Sequence, residues 1–271
     1  MVQLPPVADA RAEVGVFGGS GFYSLLDEAD EVAVDTPYGP PSAPVVVGAI
    51  EGRRVAFLPR HGRDHRFPPH RIPYRANLWA MRSLGVTQVV APCAAGSLRS
   101  DVHPGDFVVC DQLVDRTSGR AQTFYDDRAV HVSFADPYCP DGRAAALAAA
   151  RAQGIRVHDG GTMVVVEGPR FSTRAESRWY AAAGWSVVNM TGHPEAVLAR
   201  ELELCYTSIA LITDYDVGVP GVPAVTADEV FRVFGDNNAR LRTLLHALLP
   251  ALPETRACPC PNALAGADFT G

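Results

Sequence analysis

Hydrophobic residues along the chain alternate between short runs typical of buried β-strands and longer runs with helical spacing. The short runs predict strands at residues 14–17, 44–50, 53–59, 86–92, 107–114, 162–167, 186–190 and 206–213. The helical runs predict helices at residues 73–84, 141–153, 173–183, 194–204 and 226–249. Because strands and helices alternate, the pattern predicts an α/β fold in which helices cover both faces of a sheet.

The same pattern indicates how the chain is organised. Thr173 and Glu176 have the spacing of a capping box, which marks the start of one of the predicted helices. No linker or internal repeat interrupts the alternation, so we expect one domain for the whole chain of 271 residues. Its core is expected at about residues 12–252, followed by a poorly ordered tail at 253–271.

Composition excludes several classes of chemistry. The 24 basic residues are all arginine, and without lysine the chain can form neither a Walker A phosphate loop nor a Schiff base. With 30 acidic residues the formal charge is −6, which argues against a nucleic-acid partner. No apolar run approaches the roughly 18 residues that span a bilayer, and residues 1–12 do not resemble a signal peptide. We therefore expect a cytoplasmic protein with no membrane partner.

Cysteine and histidine patterns give no metal site. Four cysteines lie in or beside apolar segments and are expected to be buried thiols; these are Cys93, Cys110, Cys139 and Cys205. Cys258 and Cys260 form a C-x-C in a proline-flanked tail without two further ligands nearby, which favours a surface pair without a role over a redox or disulfide pair. His61 and His65 lie in a glycine loop rather than on a helix, so no bound metal is expected.

Candidate chemistry lies in the segments that follow predicted strands, where ligands bind in open α/β sheets. Gly-Gly-Ser-Gly at 18–21 presents backbone N–H groups and a hydroxyl to an anion, although a plain tight turn explains it equally well. Residues 60–65 combine two arginines and two histidines, a composition suited to phosphate or carboxylate; the alternative is a solvated charged loop. Small residues at 93–97 either let a ligand approach the backbone or allow close packing.

Two further segments carry aromatic and acidic groups. Residues 167–172 join a strand to a capped helix and present Phe171 as a stacking face, unless that side chain is an ordinary core residue. Residues 189–195 and 213–216 each follow a long apolar strand. Two carboxylates at the end of a buried strand, Asp214 and Asp216, are costly unless they bind a ligand or cap the structure.

Taken together, these segments resemble the methylthioadenosine phosphorylase branch of the trimeric purine nucleoside phosphorylase family. The matching blocks are Gly-Gly-Ser-Gly at 18–21, Arg-His-Gly at 60–62, Gly-Ser-Leu at 96–98, Pro-Gly-Asp at 104–106, Asp-Arg-Thr at 115–117, Glu-Gly-Pro-Arg-Phe-Ser at 167–172, Arg-Ala-Glu-Ser at 174–177, Asn-Met-Thr at 189–191 and Thr-Asp-Tyr-Asp at 213–216. The resemblance implies a single-domain, three-layer sandwich with a central mixed sheet flanked by helices.

The resemblance also implies a reaction, in which phosphate attacks C1′ of a 5′-methylthio- or 5′-deoxynucleoside and releases adenine. No cofactor is implied, because inorganic phosphate is a co-substrate. By family match, the phosphate site comprises Ser20, Arg60, His61, Cys93, Ala94 and Thr191. The nucleoside site comprises Phe171, Ser172, Met190, Asp214, Asp216, His131, Val230 and Phe231.

Individual roles follow from the same match. Phe171 would stack on the purine, while Asp214 and Asp216 would meet its N7 and 6-amino edge, with a protonated Asp214 as general acid. His131 matches a histidine that is donated across the subunit interface, and Val230 and Phe231 match positions lining the 5′ pocket. The chain is thus expected to form a homotrimer or a dimer of trimers.

Base choice depends on two positions. The 6-oxopurine branch carries glutamate where Ser172 stands and asparagine where Asp214 stands, so this pair favours a 6-aminopurine. A 6-oxopurine or methylthioinosine phosphorylase, a nucleoside hydrolase and a non-catalytic nucleoside-binding protein remain the alternatives. Cys93 replaces a threonine common in adenosine-specific relatives, and the 5′ pocket departs from the family at Gly192, His193 and Phe231.

Overall fold

Two long parallel strands, β5 (Gln88–Ser97) and β11 (Cys205–Tyr215), form the middle of the sheet. The computed structural model describes residues 4–5, 11–18, 26–217 and 226–268. The other strands that the structure describes are β1 Val14–Gly18, β2 Asp27–Val32, β3 Val45–Ile50, β4 Arg53–Pro59, β6 Phe107–Val109, β7 Gln112–Arg116, β8 Val157–Asp159, β9 Thr162–Val166 and β10 Val187–Asn189.

The sheet is mixed and branches at β5. Its main path runs β2-β3-β4-β1-β5-β10-β9-β7, while β11 pairs with β5 and β6, and β6 pairs with β8. Strands β1, β4 and β11 run parallel to their neighbours around β5, whereas β10 pairs antiparallel with the end of β5. The carboxyl ends of β1 and β4 therefore lie side by side, with Gly18 opposite Pro59, next to the second half of β5.

Helices cover both faces of the sheet, as predicted. Their bounds are α1 Tyr74–Ser83, α2 Pro140–Ala152, α3 Arg174–Ala182, α4 Gly192–Glu201 and α5 Ala227–Ala251. Leu78 of α1 and Leu198 of α4 belong to one large apolar cluster, while Ala146 of α2 and Leu244 of α5 belong to another. The α/β class with a central mixed sheet between helical layers is thus confirmed. Within the described ranges, no helix combines the length and apolar character needed to span a bilayer.

Several predicted boundaries are wrong. Residues 93–97, predicted as a loop, form the second half of β5, and Asp214 lies inside β11 rather than after it. Alanine and glycine have low strand propensity, but partners on both sides hold this stretch extended. The single strand predicted at 107–114 is divided into β6 and β7, and the acidic strand β2 was missed because it lacks apolar alternation.

Residues 253–268 pack against the rest of the chain, which corrects the expectation of a poorly ordered tail for this part of it. Gln88 Nε2 donates to Pro253 O at 2.8 Å, and Arg256 Nη1 donates to Glu203 O at 2.7 Å. Cys258 and Cys260 are buried rather than on the surface. Sequence periodicity missed this segment because long-range contacts, rather than a regular helix or strand, hold it in place.

Glycine at 142 is required by the packing of α2 on β11. A Cβ atom there would lie 2.0 Å from Thr207 Oγ1, whereas a Cβ on Gly235 of α5 would meet open space. We predict that Gly142→Ala lowers the free energy of unfolding by about 1–3 kcal/mol through overpacking. The control Gly235→Ala should raise it by about 0.5–1 kcal/mol, because alanine favours helix over glycine. Urea unfolding measures both; equal effects would contradict the packing argument.

Candidate active site

A cavity of about 430 Å³ opens at the carboxyl ends of β1 and β4, beside the second half of β5. Ten of the residues predicted for the phosphate and nucleoside sites line it; they are Arg60, His61, Cys93, Ala94, Phe171, Ser172, Met190, Thr191, Asp214 and Asp216. They come from distant parts of the sequence, so the sheet topology brings them together. Their individual roles stay predictions.

Arg60 is held at one end of this cavity by a buried ion pair. The residue directly follows β4 and is only 6 % exposed. Its Nε and Nη2 atoms each donate to a carboxylate oxygen of Glu195 at 2.7 Å, and its Nη1 donates to Pro92 O at 3.1 Å. This bidentate pairing fixes the plane of the guanidinium and leaves two of its five N–H groups for a ligand.

Glu195 is the partner that makes a buried cation possible here. Burial alone would lower the pKa of the Arg60 guanidinium, but the charge and hydrogen bonds of Glu195 raise it above its usual value. Glu195 also accepts from Tyr206 Oη at 2.8 Å. The sequence analysis gave Glu195 no role, although a carboxylate inside the apolar run at 194–199 was a signal that it needs a partner.

His61 is neutral at this end of the cavity. Burial lowers its pKa to about 4, and the neighbouring charges of Arg60 and His65 act in the same direction. Its Nδ1 lies 2.8 Å from Phe67 O, and a carbonyl can only accept, so Nδ1 carries the proton. Nε2 therefore holds a lone pair and is an acceptor.

Asn189 organises the loop that leads into α4. Its Oδ1 accepts from the backbone N–H groups of Thr191 and Gly192, each at 2.7 Å, and its Nδ2 donates to Ala94 O at 2.8 Å. These bonds tie the Thr191 side of the cavity to β5. The sequence analysis placed Asn189 in a motif but missed this positioning role.

Cys93 places a neutral thiol beside the Arg60 side of the cavity. Burial raises its pKa to about 11, against an opposing effect of Arg60. A thiol is a weak donor, so this position offers less to an anion than a hydroxyl would.

The two predicted carboxylates lie at the other end of the cavity. Asp214 is 7 % exposed and accepts from Thr213 Oγ1 at 2.7 Å. A bulge inserts Thr213 into β11, because Ile212 pairs with Ala95 and Asp214 with Gly96. A Cβ atom on Gly96 would lie 3.0 Å from Asp214 Oδ1, so glycine at this position leaves room for the carboxylate.

Asp216 is the more deeply buried of the pair, at 2 % exposure. Burial raises its pKa, while the nearby hydroxyls of Ser177 and Ser172 oppose the shift. Its Oδ2 atom is buried and makes no hydrogen bond to any residue that the structure describes. A buried acceptor without a partner is costly, and a ligand that donates to it would remove that cost.

An aromatic ring lines the same cavity. Phe171 is 38 % exposed, which is high for a large apolar side chain, and Ser172 lies next to it. Arg120 joins this loop to the Asn189 loop, because it donates to Glu167 O at 2.7 Å and to Met190 O at 2.9 Å. Arg120 is a positioning residue that the sequence analysis missed.

Strand β5 sets the distance between the two ends. Cys93 lies at the Arg60 end, and Gly96 pairs with Asp214 three residues further along the strand. At about 3.3 Å per residue, three steps span about 10 Å. A ligand in this cavity can therefore contact the Arg60 end and the carboxylates at once.

Four predicted site residues are not seen in this cavity. Ser20 lies outside the described residues, and so do the side chains of Val230 and Phe231 on α5. His131 is exposed and lines a separate depression that also contains Arg200 and Ala267. Its backbone N–H donates to Ala267 O at 2.8 Å, and His131 is not among the described residues that line the cavity of its own chain.

Comparison with known proteins shows the family to which the chain belongs. The sequence profile of the phosphorylase superfamily matches residues 13–250. The chain belongs to the phosphorylase superfamily. It is 60 % identical to the purine nucleoside phosphorylase of Streptomyces coelicolor, over 95 % of this chain and 96 % of that one. It is 57 % identical to the S-methyl-5′-thioadenosine phosphorylase of Mycolicibacterium smegmatis, over 90 % of this chain and 93 % of that one.

Solved members of the phosphorylase superfamily share the fold. A methylthioadenosine phosphorylase from an antarctic soil metagenomic library superposes with a TM-score of 0.92 at 39 % identity, covering 97 % of this chain and 94 % of that one. The methylthioadenosine phosphorylase of Schistosoma mansoni, in complex with adenine, superposes with a TM-score of 0.90 at 35 % identity, covering 95 % and 99 %. The resemblance drawn from the sequence motifs is therefore confirmed.

The Arg60–Glu195 pair gives a stability prediction for this phosphorylase-superfamily chain. Glu195→Gln leaves a buried guanidinium without a countercharge, so we expect the free energy of unfolding to fall by about 3–5 kcal/mol. The matched control is Asp101→Asn, which breaks an exposed pair with Arg99 and should cost less than about 1 kcal/mol. Denaturant unfolding of both variants tests this, and similar losses would show that burial of the pair is unimportant.

The low pKa of His61 predicts a pH dependence of stability. The pKa is about 4 in the folded chain and about 6.5 when unfolded, so only the unfolded state binds this proton in between. The contribution of His61 to the free energy of unfolding is complete above about pH 6.5 and is lost as the pH falls towards 4. Unfolding measured across this window should have a shallower pH slope in His61→Gln than in the parent protein. Equal slopes would mean that His61 titrates normally.

Proposed function

We propose that this protein catalyses phosphorolysis of 5′-methylthioadenosine to adenine and 5-methylthioribose 1-phosphate. The observation that carries the proposal is a single cavity with Arg60 at one end and two buried carboxylates at the other, about 10 Å apart along β5. The M. smegmatis and S. mansoni relatives are named for this activity. Inorganic phosphate is the co-substrate, and the proposed reaction uses no cofactor.

Phosphate would bind at the Arg60 end. Arg60 contributes its remaining N–H groups, and Thr191 lies at the N-cap of α4, where a hydroxyl can donate. Neutral His61 would accept a hydrogen bond at Nε2 from a protonated phosphate oxygen. The backbone at Ala94 and the Cys93 thiol border this place, and Ser20 would complete it.

The purine would bind at the carboxylate end. Phe171 offers a face for stacking, and Asp216 Oδ2 is a buried acceptor suited to the 6-amino group of adenine. A protonated Asp214 would donate to N7 as negative charge develops on the leaving base, and it would act as the general acid. Ribose hydroxyls would meet the backbone at Met190.

The chemistry then follows from the arrangement of charge. The C1′–N9 bond breaks as a phosphate oxygen bonds to C1′ from the opposite face, so the configuration inverts. Positive charge that develops on the ribosyl ring lies beside the anionic phosphate, while negative charge moves to the purine and is neutralised by the Asp214 proton. Each end of the cavity thus stabilises the charge that appears next to it.

A second candidate is phosphorolysis of 6-oxopurine nucleosides, because the S. coelicolor relative is named a purine nucleoside phosphorylase. The residues at the base end favour adenine. A 6-oxo group is an acceptor and needs a donor, whereas Asp216 Oδ2 is suited to accept from a 6-amino group. Ser172 and Asp214 occupy the positions that carry glutamate and asparagine in the 6-oxopurine branch.

We further propose a homotrimer, alone or as a dimer of trimers, in which His131 of one subunit completes the 5′ pocket of the next. The exposure of His131, outside its own cavity, supports this arrangement. Val230 and Phe231 would form the apolar wall for the methylthio group. Sedimentation velocity distinguishes these assemblies from a monomer.

A substrate panel tests the reaction and the base choice together. We expect phosphate-dependent adenine release that is fastest from methylthioadenosine and 5′-deoxyadenosine, and slower from adenosine. Methylthioinosine and inosine should release little hypoxanthine. Hypoxanthine as the main product would favour the second candidate, turnover without phosphate would indicate a hydrolase, and no turnover would contradict both proposals.

The general-acid role gives a sharper test. Asp214→Asn should lower kcat on methylthioadenosine at least about a hundredfold, because the amide cannot release a proton to N7. The exposed control Asp101→Asn should retain full activity. Melting temperatures of both variants show whether the fold is intact. An unchanged rate in a folded Asp214→Asn variant would remove the acid role.

A further inference from the structure

Four buried cysteines meet far from the cavity. The Sγ atoms of Cys139, Cys205, Cys258 and Cys260 all lie within 4.8 Å of one another, and all four thiols are free. They form an apolar cluster of their own. The sequence analysis gave the C-x-C no further ligands, because Cys139 and Cys205 are distant along the chain.

The four residues come from three separate elements. Cys139 is the N-cap of α2, and Cys205 is the first residue of β11. Cys258 and Cys260 belong to the C-terminal segment, which packs against both elements at this point. The cluster therefore connects the last segment of the chain to the central strand of the sheet.

The spacing suits one metal ion better than two disulfides. In a tetrahedral tetrathiolate site with metal–sulfur bonds of about 2.3 Å, neighbouring sulfurs are about 3.8 Å apart. Cys205 Sγ and Cys258 Sγ are 3.4 Å apart, and the upper limit for the whole set is 4.8 Å. The sulfur atoms thus lie within a range that includes the tetrahedral edge length, whereas two disulfides would divide the set into pairs about 2.05 Å apart.

Two groups beside the cluster can offset negative charge on the sulfur atoms. Cys139 Sγ accepts from Gly142 N at 3.5 Å, at the N-terminus of a helix, where negative charge is stabilised. The positive charge of Arg200, which is 8 % exposed, acts on Cys260. These interactions partly offset the negative charge that four thiolates around a divalent ion would leave.

We propose that Cys139, Cys205, Cys258 and Cys260 bind one zinc ion as a closed structural site that anchors the C-terminal segment. Soft thiolates in a tetrahedral set select zinc over harder cations, and four protein ligands leave no open position for catalysis. The site is independent of the phosphorolysis chemistry.

Anchoring this segment has a consequence for His131. Beyond the cluster, Ala267 O accepts from His131 N at 2.8 Å, and Asp268 forms a β-bridge with Val130 and an ion pair with Arg128. The zinc site would thus hold the segment that carries His131. This expectation rests on the proposed function. If His131 completes the 5′ pocket of a neighbouring subunit, losing the zinc raises KM for methylthio substrates.

Metal content tests the site without reference to activity. The full chain is purified under thiol reductant from zinc-supplemented cells. Elemental mass spectrometry should then find about one zinc ion per chain. The double variant Cys258→Ser, Cys260→Ser should lose it, because two ligands are removed. Cys110→Ser is the matched control, since Cys110 is buried outside the cluster, and it should retain the metal.

Absorption spectroscopy of the cobalt-substituted, unmodified chain tests the site even where a variant folds poorly. Exchange of zinc for Co²⁺ in the unmodified chain should give the intense visible and near-ultraviolet absorption of tetrahedral cobalt with sulfur ligands. Chelation should lower the melting temperature of the parent and of Cys110→Ser, but leave that of the double variant unchanged.

Thiol titration of a second preparation, purified without reductant and then denatured with a chelator, separates the alternatives. Six reactive thiols together with stoichiometric zinc in the native chain support the site. Two thiols before reduction, without metal, would show two disulfides and overturn the proposal. Six thiols with no zinc or cobalt bound after reconstitution would show a packed cluster only, and would also overturn it. Adenine release from methylthioadenosine, measured separately, shows whether the proposed function stands in any of these cases.

Discussion

The parallel pairing of β5 with β11 is the interaction on which the rest of the structure depends. It begins where Cys205 pairs with Gln88 and continues to Tyr215 opposite Ser97. One end of this pair carries a cysteine of the buried cluster, and the other carries Asp214. Because β11 pairs with β5 on both sides of Thr213, the bulge at that residue is fixed in place, and it sets where the carboxylates project.

The cavity combines groups that would be unstable if buried alone. Arg60 keeps its charge inside the protein because Glu195 pairs with it, whereas burial and the charge of Arg60 lower the pKa of His61. Asp216 keeps an acceptor without a described partner at the opposite end. This division places the N–H donors of Arg60 at one end of the cavity and two carboxyl groups at the other, a polarity that suits the proposed phosphate and purine sites.

The C-terminal segment connects the cysteine cluster to the region that carries His131. Its contacts are made by backbone carbonyls at Pro253 and Ala267, by the side chains of Arg256 and Asp268, and by the buried cysteines. A metal at the cysteine cluster would join this segment to the N-terminus of α2 and the start of β11, and would stabilise it further.

The sequence by itself determined the alternation of strands and helices, the buried thiols, and the motifs that identify the family, because each depends on residues close together in the chain. Only the tertiary structure decided that residues 93–97 continue β5, that Glu195 balances Arg60, and that the C-x-C meets two further cysteines. Strand pairing, countercharges and ligand sets join residues far apart in sequence. No local pattern contains them, since the free energy that holds them comes from contacts that exist only after the chain has folded.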